Sequence, residues 1–244
     1  GGAEMGCYAT VLPGGKPITP ENAEKLSQQW GFEVPVTQGM TATEMIEAAD
    51  RNALDVLFTV GGNFLEVLPE PDYVEAALKK VPLRVHMDIL CSKQMLLDPA
   101  ETVVLLPATT RYEVPGGVTE TSTERRVIFS PEIPGPRIGE ARPEWQVFMD
   151  LARRVRPDLA KTSFELPLSP HASPLFFQNT AAIRQEIAQV IPLYAGIQHL
   201  KEAGDQFQYG GAHLCFGWNF PTADGKAHFT ALVPQSREIP EGYF

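Results

Sequence analysis

Three short stretches carry the residues best suited to hold a ligand. Gly61-Gly62-Asn63 directly follows a short apolar run, Asp55 to Val60. Two glycines let a backbone approach a phosphate with no Cβ in the way, and the asparagine can donate or accept a hydrogen bond beside them. A nearby helix N-terminus would add about half a positive charge. The same tripeptide can equally be an ordinary tight turn, and it is not the G-x-G-x-x-G dinucleotide fingerprint. Asp88 stands 27 residues beyond Gly61, at the end of the next expected strand. A carboxylate there commonly accepts hydrogen bonds from a ribose or a base edge; the bland alternative is a solvated strand-end aspartate. Glu144 falls in the first turn of an expected helix, where a carboxylate is favourable through the dipole alone. Taken together, the glycine turn and Asp88 favour a nucleotide.

The other reactive residue types offer less. Arg111, Glu113, Glu124, Arg125 and Arg126 bracket a long loop and are expected to pair with one another rather than bind phosphate. The five histidines show no metal-ligand spacing, and His86 reads as a core or rim residue of a strand. Cys7, Cys91 and Cys215 lie far apart and form no C-x-x-C pair, which excludes a zinc ribbon, a local iron–sulfur ligand run and a disulfide framework. A reduced, cytoplasmic compartment fits that usage best. There is no nucleophile elbow, no H-E-x-x-H and no P-loop, so no self-sufficient catalytic set is in view.

The elements that must position these residues follow from spacing. Thr19-Pro20 opens a helix that buries Ala23, Leu26 and Trp30 and stops at Gly31. Thr41 with Glu44 makes a capping box for a helix over 42–51. Asp55 to Val60 reads as a strand covered on both faces. A helix from Pro71 presents Val74, Ala77 and Leu78; strands follow at Leu83 to Asp88 and Thr102 to Leu106. Strand, glycine turn, helix, strand, connection, strand is the unit of a parallel sheet flanked by helices. The expected fold is therefore α/β, a three-layer αβα Rossmann-like parallel sheet with long irregular loops and a short C-terminal extension.

Residues 108–143 are rich in Pro and Gly, and no helix or core strand is expected there apart from Arg126–Phe129. Pro143-Glu144 opens a helix expected to bury Trp145, Phe148, Leu151, Ala152 and Val155. Residues 180–190 form a helix burying Ile183, Ile187 and Val190; another is expected over 195–203, with a strand at 227–232. Domain boundaries follow: 1–156 as the nucleotide-binding domain, 157–179 as a linker or exposed loop, and 180–244 as a helical return and extension packed on the same domain.

Composition bounds the function. The 244 residues are 43% hydrophobic and 20% charged, which argues against disorder. A net charge of −10 with no basic patch makes nucleic acid an unsuited partner. No run reaches 18 apolar residues, so no membrane span is expected. The start at Gly1, with neither initiator Met nor signal peptide, reads as an excised piece of a longer chain.

Five stretches in order carry a resemblance. They are VGGNF (Val60 to Phe64), HMDI (His86 to Ile89), VLLPATTRYEVPGGVTETSTERR (Val104 to Arg126), EWQVFMDLARRV (Glu144 to Val155) and FPTADGKAHF (Phe220 to Phe229). In order and spacing, together with WGFEVP (Trp30 to Pro35), they resemble the formate dehydrogenase-like branch of the molybdopterin oxidoreductases over almost the whole chain. The resemblance implies an internal Rossmann-like domain that holds one arm of a bis-molybdopterin guanine dinucleotide cofactor. It implies that Gly61, Gly62 and Asn63 line the nucleotide, with Met87 and Asp88 at the next strand end and Glu144 reaching the same group. Several relatives have a lysine where Val114 stands, so one charge-assisted contact is expected to be missing. The resemblance places the iron–sulfur cluster, the metal ligand and the catalytic histidine upstream, and a barrel domain downstream of Phe229. The expected partners are the missing domains of the parent chain and an electron-transfer subunit, and the isolated chain is expected to be inactive, with apolar interdomain surface around Phe216, Trp218 and Phe220. Rival readings are a nucleotide-binding central domain of an NAD or thiamine diphosphate enzyme, and a regulatory domain that kept the fold and lost the ligand.

Overall fold

The computed structural model describes residue 2 and residues 4–157 and 180–234. The chain divides into two compact units, Gly1–Tyr209 and Gly210–Phe244. The first opens with a two-residue antiparallel pair, β1 (Val11–Leu12) and β2 (Lys16–Pro17). Caps then set the helices. Thr19 accepts the Asn22 amide at 3.2 Å to start α1 (Pro20–Trp30), and Gly31 ends it at φ 74°. Thr41 and Glu44 make the expected reciprocal box on α2 (Ala42–Asp50).

Three parallel strands follow, β3 (Val56–Val60), β4 (Leu83–Asp88) and β5 (Thr102–Pro107), side by side in that order. Between the first two run the single turn α3 (Phe64–Val67) and α4 (Pro71–Leu78). The register puts Val60 opposite Met87 and Asp88 opposite Pro107. Alternate side chains of a strand face opposite sides, and β3 divides accordingly. Leu57 packs with Ile46, Ala49, Val74, Ala77, Leu78 and Val81 on the α2/α4 side. Phe58 points the other way and meets Phe148 of α5 (Glu144–Val155) at 5.4 Å between ring centres. Helices thus lie on both faces, as the α/β, Rossmann-like expectation requires.

The second face is thinly covered. Val56 is 52% exposed and Val60 39%, so β3 is not buried on both sides as expected. Nor does α5 bury its apolar stripe: Phe148, Leu151 and Val155 are exposed, and Trp145 and Ala152 only half-buried. The sequence pattern marked an apolar face correctly, but α5 is the one helix of that layer among the described residues and reaches only part of the sheet.

A second sheet arises where little structure was expected. β6 (Val118–Thr121), β7 (Arg126–Ser130) and β8 (Gln206–Gln208) pair antiparallel in that order. Only β7 was anticipated; β6 and β8 are short and owe their conformation to its two edges. Gly117, just before β6, has φ 71°, and a Cβ there would sit 2.5 Å from the Phe129 ring and 2.6 Å from the Ser130 carbonyl oxygen. Behind this sheet Val127, Phe129, Ile191, Tyr194, Ile197 and Leu200 form a separate core, joined by Ile187 of α6 (Thr180–Val190). Ile183 and Val190 are half-buried, and the fully buried residues of that helix are Thr180 and Arg184. The helix expected over 195–203 is instead two three-residue turns, Pro192–Tyr194 and Ile197–His199, interrupted by Gly196 at φ 117°.

In the second unit the described residues hold one short 3₁₀ helix, Phe216–Trp218, among turns and irregular chain. The strand expected at 227–232 does not form, since no neighbouring strand pairs with it among the described residues of that unit. Phe216 and Trp218 are exposed and Phe220 is half-buried. The expected linker 157–179 lies, beyond Pro157, outside the described residues. Among the described residues no helix is long and apolar enough to cross a membrane.

Candidate functional site

The carboxyl rim of the parallel sheet is built strand by strand. At β3 the Gly61 amide donates to the Met87 carbonyl at 2.8 Å, which extends the ladder by one residue. The chain then reverses through Gly61 and Gly62 at φ 64° and 76°, backbone that L side chains rarely adopt. A Cβ on either glycine would meet nothing within 4 Å, so the space before them is open. Among the described residues the Gly62 and Asn63 amides donate to no group. The Asn63 side-chain nitrogen donates to Glu66 Oε2 at 2.7 Å, while its Oδ1 is buried with no partner.

At β4, Asp88 is half-buried. Its Oδ1 accepts the Ile89 amide at 2.7 Å and the Leu90 amide at 3.4 Å, which holds the carboxylate at the rim. Met87 is 1% exposed, so its side chain belongs to the core and its carbonyl to the glycine turn. At β5, the Arg142 amide donates to the Pro107 carbonyl at 3.0 Å and the Thr109 amide to the Arg142 carbonyl at 3.1 Å, so residue 142 runs parallel to the strand end. Glu144 follows two residues later in the first turn of α5. Gly61–Asn63, Met87–Asp88, Ala108 and Arg142–Glu144 therefore lie in sequence along one edge, over three strand spacings or roughly 14 Å.

Two residues that spacing did not single out shape this edge. Gln94, 1% exposed, donates from Nε2 to the Gly62 carbonyl at 3.0 Å and accepts the Phe64 amide on Oε1 at 2.9 Å. That bond occupies the first amide of α3, a helix of only four residues, so the expected dipole at the glycine turn is not on offer. Arg84 is fully buried on β4. It donates to the carbonyls of Gln94 (3.1 Å), Leu97 (2.6 Å) and Asp98 (3.0 Å), fixing the loop that carries Gln94. Its guanidinium is held below the usual range, chiefly by burial and against the pull of Asp98. The available signal was Arg84-Val85-His86, polar residues two apart in an otherwise apolar strand, which demand partners on one face. His86 meets that demand through Nδ1, 2.7 Å from Thr59 Oγ1, while its Nε2 is buried without a partner. Burial, then Arg84, pushes its pKa down and keeps it neutral.

The loop charges are engaged internally. Arg111 pairs with Glu120 and reaches Ser130 Oγ. The hydrogen bond that it donates to Glu120 holds the Arg111 guanidinium above its usual range. Glu113 accepts the Thr110 hydroxyl and amide at 2.7 and 2.8 Å, which draws its carboxyl below the ordinary range. Arg125 donates to the Tyr209 carbonyl at 2.6 Å and Arg126 to Gln206 at 3.2 Å. Pairing was expected, though the partners are mostly other residues. Val114 is buried. Among the described residues no group of three or more His, Cys, Asp and Glu could hold a metal ion.

No family model matches the chain. Among curated proteins it is 29% identical to "Probable oxidoreductase YjgC" of Bacillus subtilis over 93% of this chain and 22% of that protein. It is 31% identical to a nitrate reductase of Synechocystis sp. over 64% of this chain and 21% of that protein. It is 29% identical to the alpha subunit of a formate dehydrogenase of Methanococcus maripaludis over 82% of this chain and 26% of that protein. The chain spans about a fifth to a quarter of the length of these relatives. Its resemblance to the molybdopterin oxidoreductases is borne out, since the homologues matched over most of the chain are oxidoreductases of that family.

Proposed function

We propose that this homologue of the molybdopterin oxidoreductases is the part of a larger oxidoreductase that binds one guanine dinucleotide arm of a metal–bis(pterin) cofactor. The observation that carries the reading is the meeting, on one sheet rim, of complementary donors and acceptors. Gly62 and Asn63 offer two uncommitted amides beside open space, the kind of concave backbone that takes phosphate oxygens. Asn63 Oδ1 is buried and unpartnered, so a donor from a ligand would complete it. Asp88 and Glu144 can accept from guanine, whose amino edge carries donors. Met87 supports the site from beneath rather than by touching the ligand.

These residues fit the group. When bound, the metal–pterin unit supplies the redox chemistry, and this chain's residues bind and orient its nucleotide end. No cluster-binding cysteine set occurs in this sequence; in this reading an iron–sulfur cluster, the metal ligand and the substrate funnel are assigned to other parts of the parent. Formate as substrate rests on the likeness to formate dehydrogenases alone. An electron-transfer subunit and the remaining domains of the parent are the partners in this reading, and the compartment is the cytoplasm. The test is Asp88→Ala in the full-length protein, with molybdenum and releasable GMP counted per chain. A several-fold fall in both is expected; unchanged loading rejects the reading.

A further inference from the structure

We propose that Gln94 is a positioning residue that aims the Asn63 amide at the ligand, an inference that rests on the nucleotide reading of the Gly61–Asn63 turn. The side-chain amide of Gln94 spans the turn, with its donor on the Gly62 carbonyl and its acceptor on the Phe64 amide. A trans peptide unit is planar, with its C=O and N–H pointing in opposite directions. No cis peptide occurs in the described chain. Pinning the Gly62 carbonyl toward Gln94 therefore turns the Asn63 N–H of the same peptide unit away from Gln94. Holding the Phe64 amide removes the rival donor next in sequence. Glycines with open space around them would otherwise sample several orientations, and a donor that must be ordered on binding costs affinity.

The strut has a rigid base. Gln94 is buried, and its own carbonyl is held by Arg84, which also grips the carbonyls of Leu97 and Asp98. A second link joins the same two segments at the surface, where Glu66 accepts from Asn63 and pairs with Lys93 at 3.4 Å. A residue needed only to fill space here would be apolar, because a buried amide is tolerated only with its bonds made.

The test uses the full-length protein loaded with its cofactor. Gln94→Met keeps length and bulk but makes neither bond. Gln94→Glu keeps the acceptor, and regains the donor only when its carboxyl is protonated. Three quantities are read: the rate of guanine nucleotide release, hydrogen exchange of a peptide covering residues 58–66, and the melting temperature. Gln94→Met is expected to release nucleotide about ten-fold faster and to exchange faster in that peptide. Gln94→Glu is expected to release faster as pH rises, while the unsubstituted protein shows no such added dependence. A folded Gln94→Met protein with unaltered release overturns the proposal. If that variant does not fold, a flat pH profile for Gln94→Glu overturns it. Asp88→Ala is measured alongside. Faster release in Asp88→Ala but not in Gln94→Met removes the strut alone, whereas unaltered release in both removes the nucleotide reading beneath it.

Discussion

At the scale of single residues, the glycine turn separates two reasons for needing glycine. At Gly62 a methyl group would meet open space, so the cost of Gly62→Ala comes from its φ of 76°. That cost is about 1–2 kcal/mol, readable in urea unfolding. At Gly117 the same change drives a methyl into Phe129 and the Ser130 carbonyl, and Gly117→Ala should cost more than Gly62→Ala. Equal losses would contradict the geometry. The rim positions of Gly61, Gly62, Asn63, Asp88 and Glu144 were legible in the sequence because each is marked by its neighbours: a strand end before it or a helix start around it. Gln94 was not, because its two partners lie 30 and 32 residues away and nothing local distinguishes it.

At the scale of elements, α1, α2, α4 and the three parallel strands were legible from caps and apolar runs, which are local. β6 and β8 were hidden because two short polar strands exist only by pairing with β7, and β8 does so across some 80 residues. The stripe on α5 was legible while its exposure was not, since a pattern states which face is apolar and not what covers it. Strand β4 yields a pH prediction. His86 is buried and neutral, with Thr59 and Arg84 beside it, and its pKa is pushed below the ordinary histidine value. The unfolded chain takes up that proton first, so stability is full above the ordinary value of about 6.5 and falls as pH drops below it. Glu186, raised by burial, acts in the opposite sense, since its charge disfavours the fold as pH rises through the carboxylate range. Chemical denaturation at pH 7.5 and 5.5 should show a loss on acidification that shrinks in His86→Gln. An identical pH slope in the two proteins would contradict the assignment. Arg84→Met should cost about 2–4 kcal/mol, because it leaves three loop carbonyls without their donor.

At the scale of the whole molecule, the sheet face bearing Val56, Val60 and Val104 and the incompletely covered stripe of α5 with Phe148, Leu151 and Val155 form more exposed apolar surface than a solitary domain needs. The relatives are roughly three to four and a half times as long as this chain, and other parts of the parent are the proposed cover. Leu151→Glu in this chain should therefore change stability by no more than about 0.5 kcal/mol, while weakening the binding of a dye that reports apolar surface. A large loss of stability would show that Leu151 belongs to the core. The central claim is that chain reversals after β3 and β4 and the start of α5 share one nucleotide. An electron cryo-microscopy reconstruction of the full-length protein loaded with its cofactor tests it most directly. The account predicts a pyrophosphate oxygen about 3 Å from the Gly62 or Asn63 amide and a guanine edge at the same distance from the Asp88 carboxylate. Density for both dinucleotide arms on other parts of the chain, with this rim facing solvent or another domain, would contradict it.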